Sequence, residues 1–265
     1  MELSLERIRT IIEKEWAEVF KNKVVIMTIV ILPLIFTIMP LLVLTFTNSS
    51  VEGGEGVDMP AQFARTCQNM SMGDCMQVFM MNQFLLLFMV MPLAIPIAIA
   101  AYSIVGEKTT RSLEPLLATP ITTEELLAGK CLAAAIPAIL ATVGAFLLFL
   151  LLTPLTGISL VVQQYIMGPI WLIAVLVVGP LMSIAAVNLA IIVSSRVTDP
   201  RAAEQISMVF IVPLIGLMFA QIAGLIVVNL FLMLTMAVTL LAIDFGLIFI
   251  GAELFQRETI LTRWK

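Results

Sequence analysis

The sequence predicts an all-α integral membrane fold, with six transmembrane helices behind a leading amphipathic helix. Three observations predict it. Of the 265 residues, 61% are apolar and only 12% are charged. The mean hydropathy is +1.10. A water-soluble fold of this length cannot hide so much apolar surface. Charge is also missing from long runs: 24–51, 75–106 and 131–195, with Asp244 alone in 206–252. In lipid every backbone polar group must be paired inside its own segment, so such runs become helices. The alternating pattern of a membrane barrel strand is absent. These facts exclude a soluble enzyme, a disordered chain and a nucleic-acid binder.

Taken in order, residues 1–23 form the first element. Leu5, Ile8, Ile12, Trp16 and Val19 fall at helical spacing on one face. Glu6, Arg7, Glu13, Lys14 and Lys21 lie mainly elsewhere, so the helix is expected in the bilayer interface, with Trp16 at headgroup depth. The transmembrane domain runs over 24–252, with spans expected at 24–46, 79–104, 131–152, 166–193, 206–228 and 231–252. A span needs about 20 residues, so the 131–195 run holds two spans and their hairpin. Residues 253–265 are a tail.

Basic residues orient the bundle. Arg7, Arg9, Lys14, Lys21, Lys23, Lys108, Arg111, Lys130, Arg196, Arg201, Arg257, Arg263 and Lys265 share one side of a six-span plan, leaving only Arg65 opposite. Basic loops stay in the cytoplasm, so both termini are expected there in a multi-pass protein. Prolines 33, 40, 92, 96, 137, 180 and 213 interrupt the spans. Each removes a backbone donor and shapes its helix.

Outside the hydrocarbon, the 47–78 loop contains Cys67, Met70, Met72, Cys75 and Met76. On an oxidising face Cys67 and Cys75 can close a disulfide. Thiolate and thioether groups also suit a soft metal such as Cu(I). Methionine serves equally as adaptable apolar filler. Both chemistries of the cysteine pair stay open. Cys131 reads as a small apolar residue.

The 105–130 loop mixes charges with leucines beyond the needs of a solvated connector. Glu107, Lys108, Leu113, Glu114, Leu116, Leu117, Thr119, Pro120, Glu125, Gly129 and Lys130 follow the pattern of the loop between the second and third spans of ABC type-2 transporter permeases, which the chain resembles. That pattern is an acid–base pair, then Leu-Glu-x-Leu-Leu, a small residue, Ser/Thr-Pro, and Glu with Gly-Lys entering the third span. Arg111 departs from it, since many members carry Gly there. Ser194 to Gln205 resembles the family's turn before the fifth span. With the six-span plan, the resemblance covers nearly the whole chain.

It implies the ABC type-2 exporter permease fold in a prokaryotic inner (cytoplasmic) membrane. It also implies two partners besides the lipid bilayer: a nucleotide-binding ATPase subunit, and a second permease, either an identical copy or a paralogue. Residues 107–126 would carry the coupling contact. Glu107, Lys108, Arg111, Leu113, Glu114, Leu116, Leu117, Pro120 and Glu125 are the candidates, with Arg196, Asp199 and Arg201 as a smaller second contact. ATP and Mg would belong to the partner, with no cofactor bound directly here. The residues agree: there is no G-x-x-x-x-G-K-[ST] loop, because Gly129-Lys130 is followed by Cys131 and position 124 is Glu.

Polar residues within spans are costly and mark candidate pathway positions: Asn188, Gln221, Asn229 and above all Asp244. Asp244 could instead serve an ion-coupled secondary transporter or channel, the alternative function, or make a structural hydrogen bond. Gly216, Ala220 and Gly224 form a small-residue stripe suited to close helix approach, against a second copy or another helix of the chain. An intramembrane enzyme is not expected. Asp244 lacks a second carboxylate, and the chain has no histidine to serve as base or ligand.

Overall fold

A computed structural model describes residues 4–51, 60, 63, 67, 70–109 and 121–254. Among them, six helical segments are long and apolar enough to cross a membrane: Lys23–Phe46, Met72–Gly106, Thr123–Thr156, Leu160–Arg196, Pro200–Ile222 and Leu230–Gly251. Helix α1 (Leu5–Val19) precedes them. The first span is α2 (Lys23–Val51). The second joins α3 (Met72–Phe88) to α4 (Met91–Thr109). The third is α5 (Thr123–Leu152). The fourth is assembled from α6 (Leu160–Ile166), α7 (Pro169–Ile173), a π turn over Ala174–Val178, and α8 (Gly179–Arg196). The fifth runs through α9 (Pro200–Ser207), a 3-10 turn and α10 (Val212–Ile222), and the sixth is α11 (Leu230–Leu254).

The boundaries depart from the expected ones for local reasons. Spans two and three start earlier because their caps lie outside the charge-free runs. Ser71 accepts from the Asp74 amide, and Thr122 accepts from the Glu125 amide. The fifth span stops at Ile222 rather than 228. Gly224 takes a left-handed φ of 72°, where an added Cβ would also lie 2.9 Å from Pro60.

The second span is the centre of the bundle. Its most apolar window is 89% buried, against 17% for the first and fifth spans and 22% for the sixth. Those three outer spans therefore present broad apolar faces outward. Trp171 of α7 fills the middle of the bundle, stacking on Phe146 and Phe149 of α5 and meeting Phe88 of α3 edge-on. Helices α4 and α8 pack together closely, and both bury alanines: Ala94, Ala98 and Ala101 on one, Ala185, Ala186 and Ala190 on the other.

Two prolines leave work for neighbouring helices. In a helix, the amide at i+4 pairs with the carbonyl at i, and proline has no amide hydrogen. Pro96 therefore strands the Pro92 carbonyl, and the Ser183 hydroxyl of α8 donates to it at 3.0 Å. Pro137 strands the Ala133 carbonyl, and the Trp16 indole of α1 donates there at 2.9 Å. Both prolines thus act as joints between helices.

Candidate functional site

The loop resemblance directs attention to the basic end of the bundle. Glu107 and Lys108 lie on the last turn of α4. Arg111, Leu113, Glu114, Leu116, Leu117 and Pro120 lie outside the described residues. After residue 120 the described chain resumes at a capping box. The Thr122 hydroxyl accepts from the Glu125 amide at 3.2 Å, and the Glu125 carboxylate accepts from the Thr122 amide at 2.9 Å.

Glu125 is only 1% exposed, and its carboxylate also reaches α1. It accepts from the Ser4 amide at 3.0 Å and pairs with Arg7 at 3.3 Å. A free carboxylate offered to another subunit is therefore not what this geometry provides. Glu125 joins α1 to the start of the third span.

The contact continues along both helices, which run in the same sense. A Cβ on Gly129 would stand 2.7 Å from the Ile11 side chain, so glycine is what admits α1 so close to α5. One residue on, Lys130 donates to Glu15 at 2.8 Å and to the Ser103 hydroxyl of α4 at 3.0 Å. Ser103 in turn donates to the Glu15 carboxylate, and Lys14 stands 3.5 Å from it. Lys130 and Glu15 are both 3% exposed at the side chain. Burial works to raise the Glu15 carboxyl. The Lys130 charge and hydrogen bond, with Ser103 and Lys14, outweigh it and hold the carboxyl below its ordinary value.

The expected face of α1 needs correction. Its buried residues are Ile8, Ile11, Glu15 and Val19. Leu5 is 80% exposed, and Ile12 is only half-buried beside the fully buried Ile11. Ion pairing lets Glu15 occupy the apolar side, and this rotates the stripe away from the one counted on hydrophobicity alone. Arg7, expected away from the contact, reaches across to Glu125.

The second group of loop residues is accessible. Arg196, Asp199 and Arg201 are exposed. Asp199 caps α9 by accepting from the Arg201 amide at 3.0 Å. Arg201 lines a cavity of about 420 Å³ with Val24, Tyr102, Glu204, Gln205 and Met208.

At the opposite end, the structure takes one of the two chemistries left open for the cysteines. Cys67 and Cys75 form a disulfide, with Cα atoms 5.6 Å apart. No thiolate is left on either. Met72 is fully exposed while Met76 is buried and Met70 half-buried, so the thioethers do not share one surface. Among the described residues no group of three His, Cys, Asp or Glu side chains is placed to hold a metal. Asp74, next to the disulfide, accepts from Ser71 at 2.7 Å and from Ser159, the cap of α6, tying spans two and four together.

The intramembrane polar residues take different parts. Asn229 is exposed and caps α11, accepting from the Leu232 amide at 2.8 Å, so it marks a helix start. Asn188 donates to the Ile184 carbonyl at 2.9 Å and stands 4.0 Å from the Cys131 sulfur. Gln221 is buried with neither amide atom paired. Asp244 is 5% exposed, and neither of its oxygens has a hydrogen-bond partner. The small-residue stripe divides: Gly216 faces open space, while Gly224 packs on Pro60.

Sequence reasoning missed Ile11, Glu15, Ser103 and the Trp16 contact. It also missed Asn82, which accepts from the Tyr165 hydroxyl at 2.8 Å. Pro137 held a usable signal, because it announces a carbonyl at 133 in need of a donor.

A family model described as "ABC-2 family transporter protein" matches residues 9–245. A search of curated proteins found no match.

Proposed function

The chain belongs to the ABC-2 transporter family, and from that premise we propose that it is the membrane half of an ATP-driven exporter. ATP would be bound and hydrolysed, with Mg, on a separate nucleotide-binding subunit. A second permease, identical or paralogous, would complete the transporter. Both termini would lie in the cytoplasm of a prokaryotic cell, so the basic end of the bundle meets the ATPase. The 107–126 segment would enter a groove on that subunit, with Leu116 and Leu117 as apolar anchors and Glu107, Arg111 and Glu114 as polar contacts. Arg196, Asp199 and Arg201 would form the smaller contact beside it.

The observation that carries this reading is the joint where the loop re-enters the bundle. The third span begins at Thr123. Within its first three turns Glu125, Gly129, Lys130 and Ala133 are all fastened to α1, and Lys130 is fastened to Ser103 of α4. A displacement of the loop is therefore delivered to α1, α4 and α5 together. ATP closes the paired nucleotide-binding subunits, the loop segments move with them, and the bundles pass from inward-open to outward-open. Such a switch is a rigid-body transition between two states, biased by the ligand that prefers one.

The test is purification from native membranes. The wild-type chain should bring down an ATPase subunit and a second permease. Leu117→Asp should insert normally and lose the ATPase subunit. Full retention of that subunit by Leu117→Asp would remove the segment from the coupling role.

A further inference from the structure

We propose that Asp244 is a proton-binding site inside the bundle, where spans three, four and six meet, and that its protonation is linked to the bundle's conformation. Helix α11 buries a single stripe: Met233, Ala237, Leu240, Asp244 and Gly251, at helical spacing. That stripe packs on α8, with further contacts to α5, α7 and the π turn. Asp244 occupies the apolar stripe and does not look outward. Both of its carboxylate oxygens are enclosed and without a hydrogen-bond partner.

The surroundings fix the ligand's chemistry. From α5 the titratable group on this side is the Cys131 thiol. Helix α8 carries one titratable side chain, the exposed Arg196 at its last residue; its Asn188 is neutral, with the amide donating to Ile184 and lying against the Cys131 sulfur. Residues 169–178, covering α7 and the π turn, contain no titratable side chain. On α11 itself the next acid, Glu253, is exposed nine residues further on. Lys130, beside Cys131 in sequence, is engaged by Glu15 and Ser103. No cation is offered to Asp244 by these helices, and an unpaired ionised carboxylate in a dry interior neutralises itself instead. Neutralising it takes one proton: an O–H bond forms on the carboxylate, and no electron is transferred.

Linkage to conformation follows from the same packing. The sixth span is held along one stripe only, so a movement of α11 against α8 admits water to the carboxyl. Wetting favours the ionised form, and closing the gap requires the proton to return. Whichever conformation wets Asp244 is thus favoured by alkali, and the dry one by acid.

The chain has four aspartates: Asp58, Asp74, Asp199 and Asp244. The test is infrared spectroscopy of the full-length permease in lipid nanodiscs, with the aspartate carboxyl carbons labelled with carbon-13 and the pH varied. One labelled C=O band of a protonated acid should persist at pH 7 and disappear in Asp244→Asn. Four ionised aspartates at pH 7 would overturn the proposal, as would a band that survives Asp244→Asn. Should Asp244→Asn fail to insert, the wild-type titration decides alone, since three ionised groups support the site and four refute it. No ATPase subunit takes part, so failure here leaves the coupling reading intact, and failure of coupling leaves this site intact.

Discussion

Glu15 and Asp244 are both buried in this bundle, and they are provided for in opposite ways. Glu15 of α1 has a lysine, a serine and a second lysine around it. Asp244 of α11 has no hydrogen bond to either oxygen. Both occupy stripes that are otherwise apolar. A buried charge with complete partners fixes geometry, because every departure leaves something unpaired. A buried acid without partners fixes nothing by charge and instead registers whether water has reached it. The first arrangement suits a joint that must transmit a displacement, and the second suits a group that responds to one.

The sharpest way to break this contrast is to make Glu15 resemble Asp244. Lys130→Met removes the central cation and leaves a carboxylate buried at the α1–α5–α4 junction. Breaking a buried pair from one side costs about 3–5 kcal/mol. Thermal unfolding in detergent should show that loss, and adding Glu15→Leu should recover much of it. Asp244→Asn, which deletes no pair, should shift the same transition far less. Acid should mimic Lys130→Met. The Glu15 carboxyl is held below its ordinary value of 4.5. Its contribution is therefore complete above that pH and is lost as pH falls through the lower folded-state value. A joint whose stability is flat from pH 7 down to pH 3 would remove the ion pair from its structural role.

A smaller effect is expected from steric substitution at the same joint. Gly129→Val places a branched side chain where even a Cβ lies 2.7 Å from Ile11. Overpacking of this kind costs about 1–3 kcal/mol. Limited proteolysis of α1 should accelerate, and Ile11→Ala in the same chain should slow it again. Unchanged proteolysis would mean that α1 does not depend on this contact.

How much of this was legible in the sequence depends on the range of the physics involved. The spans were legible because lipid imposes a local rule, and the charge-free runs obey it. Their ends were less so: Ser71 and Thr122 extend helices with cap chemistry beyond those runs, and Gly224 stops one early through its backbone. The face of α1 was misjudged by one position because Glu15 was counted as a surface charge. Its partner Lys130 lies 115 residues away, and no periodicity reports such a pairing. Gly129 and Lys130 were recognised as part of a motif, but the motif did not say that they hold α1. Asp244 was legible as an anomaly, since one acid in 47 residues is visible without coordinates. That the expected spans hold no Lys or Arg to pair with it was legible too, whereas the structural hydrogen bond expected for it is absent from both oxygens.

The smallest effect tests whether the proline joints belong with the satisfied region. Trp16→Phe keeps the ring and removes the indole N–H from the Ala133 carbonyl, which Pro137 leaves unpaired. An unsatisfied buried acceptor costs about 1–3 kcal/mol. Pro137→Ala supplies the missing backbone donor from within α5. If the joint works as described, Trp16→Phe should destabilise the parent and have almost no effect in the Pro137→Ala background. A double-mutant cycle on thermal stability measures that difference directly. Equal losses in both backgrounds would show that Trp16 contributes only packing, and that α1 is held by its charges and by the Gly129 contact alone.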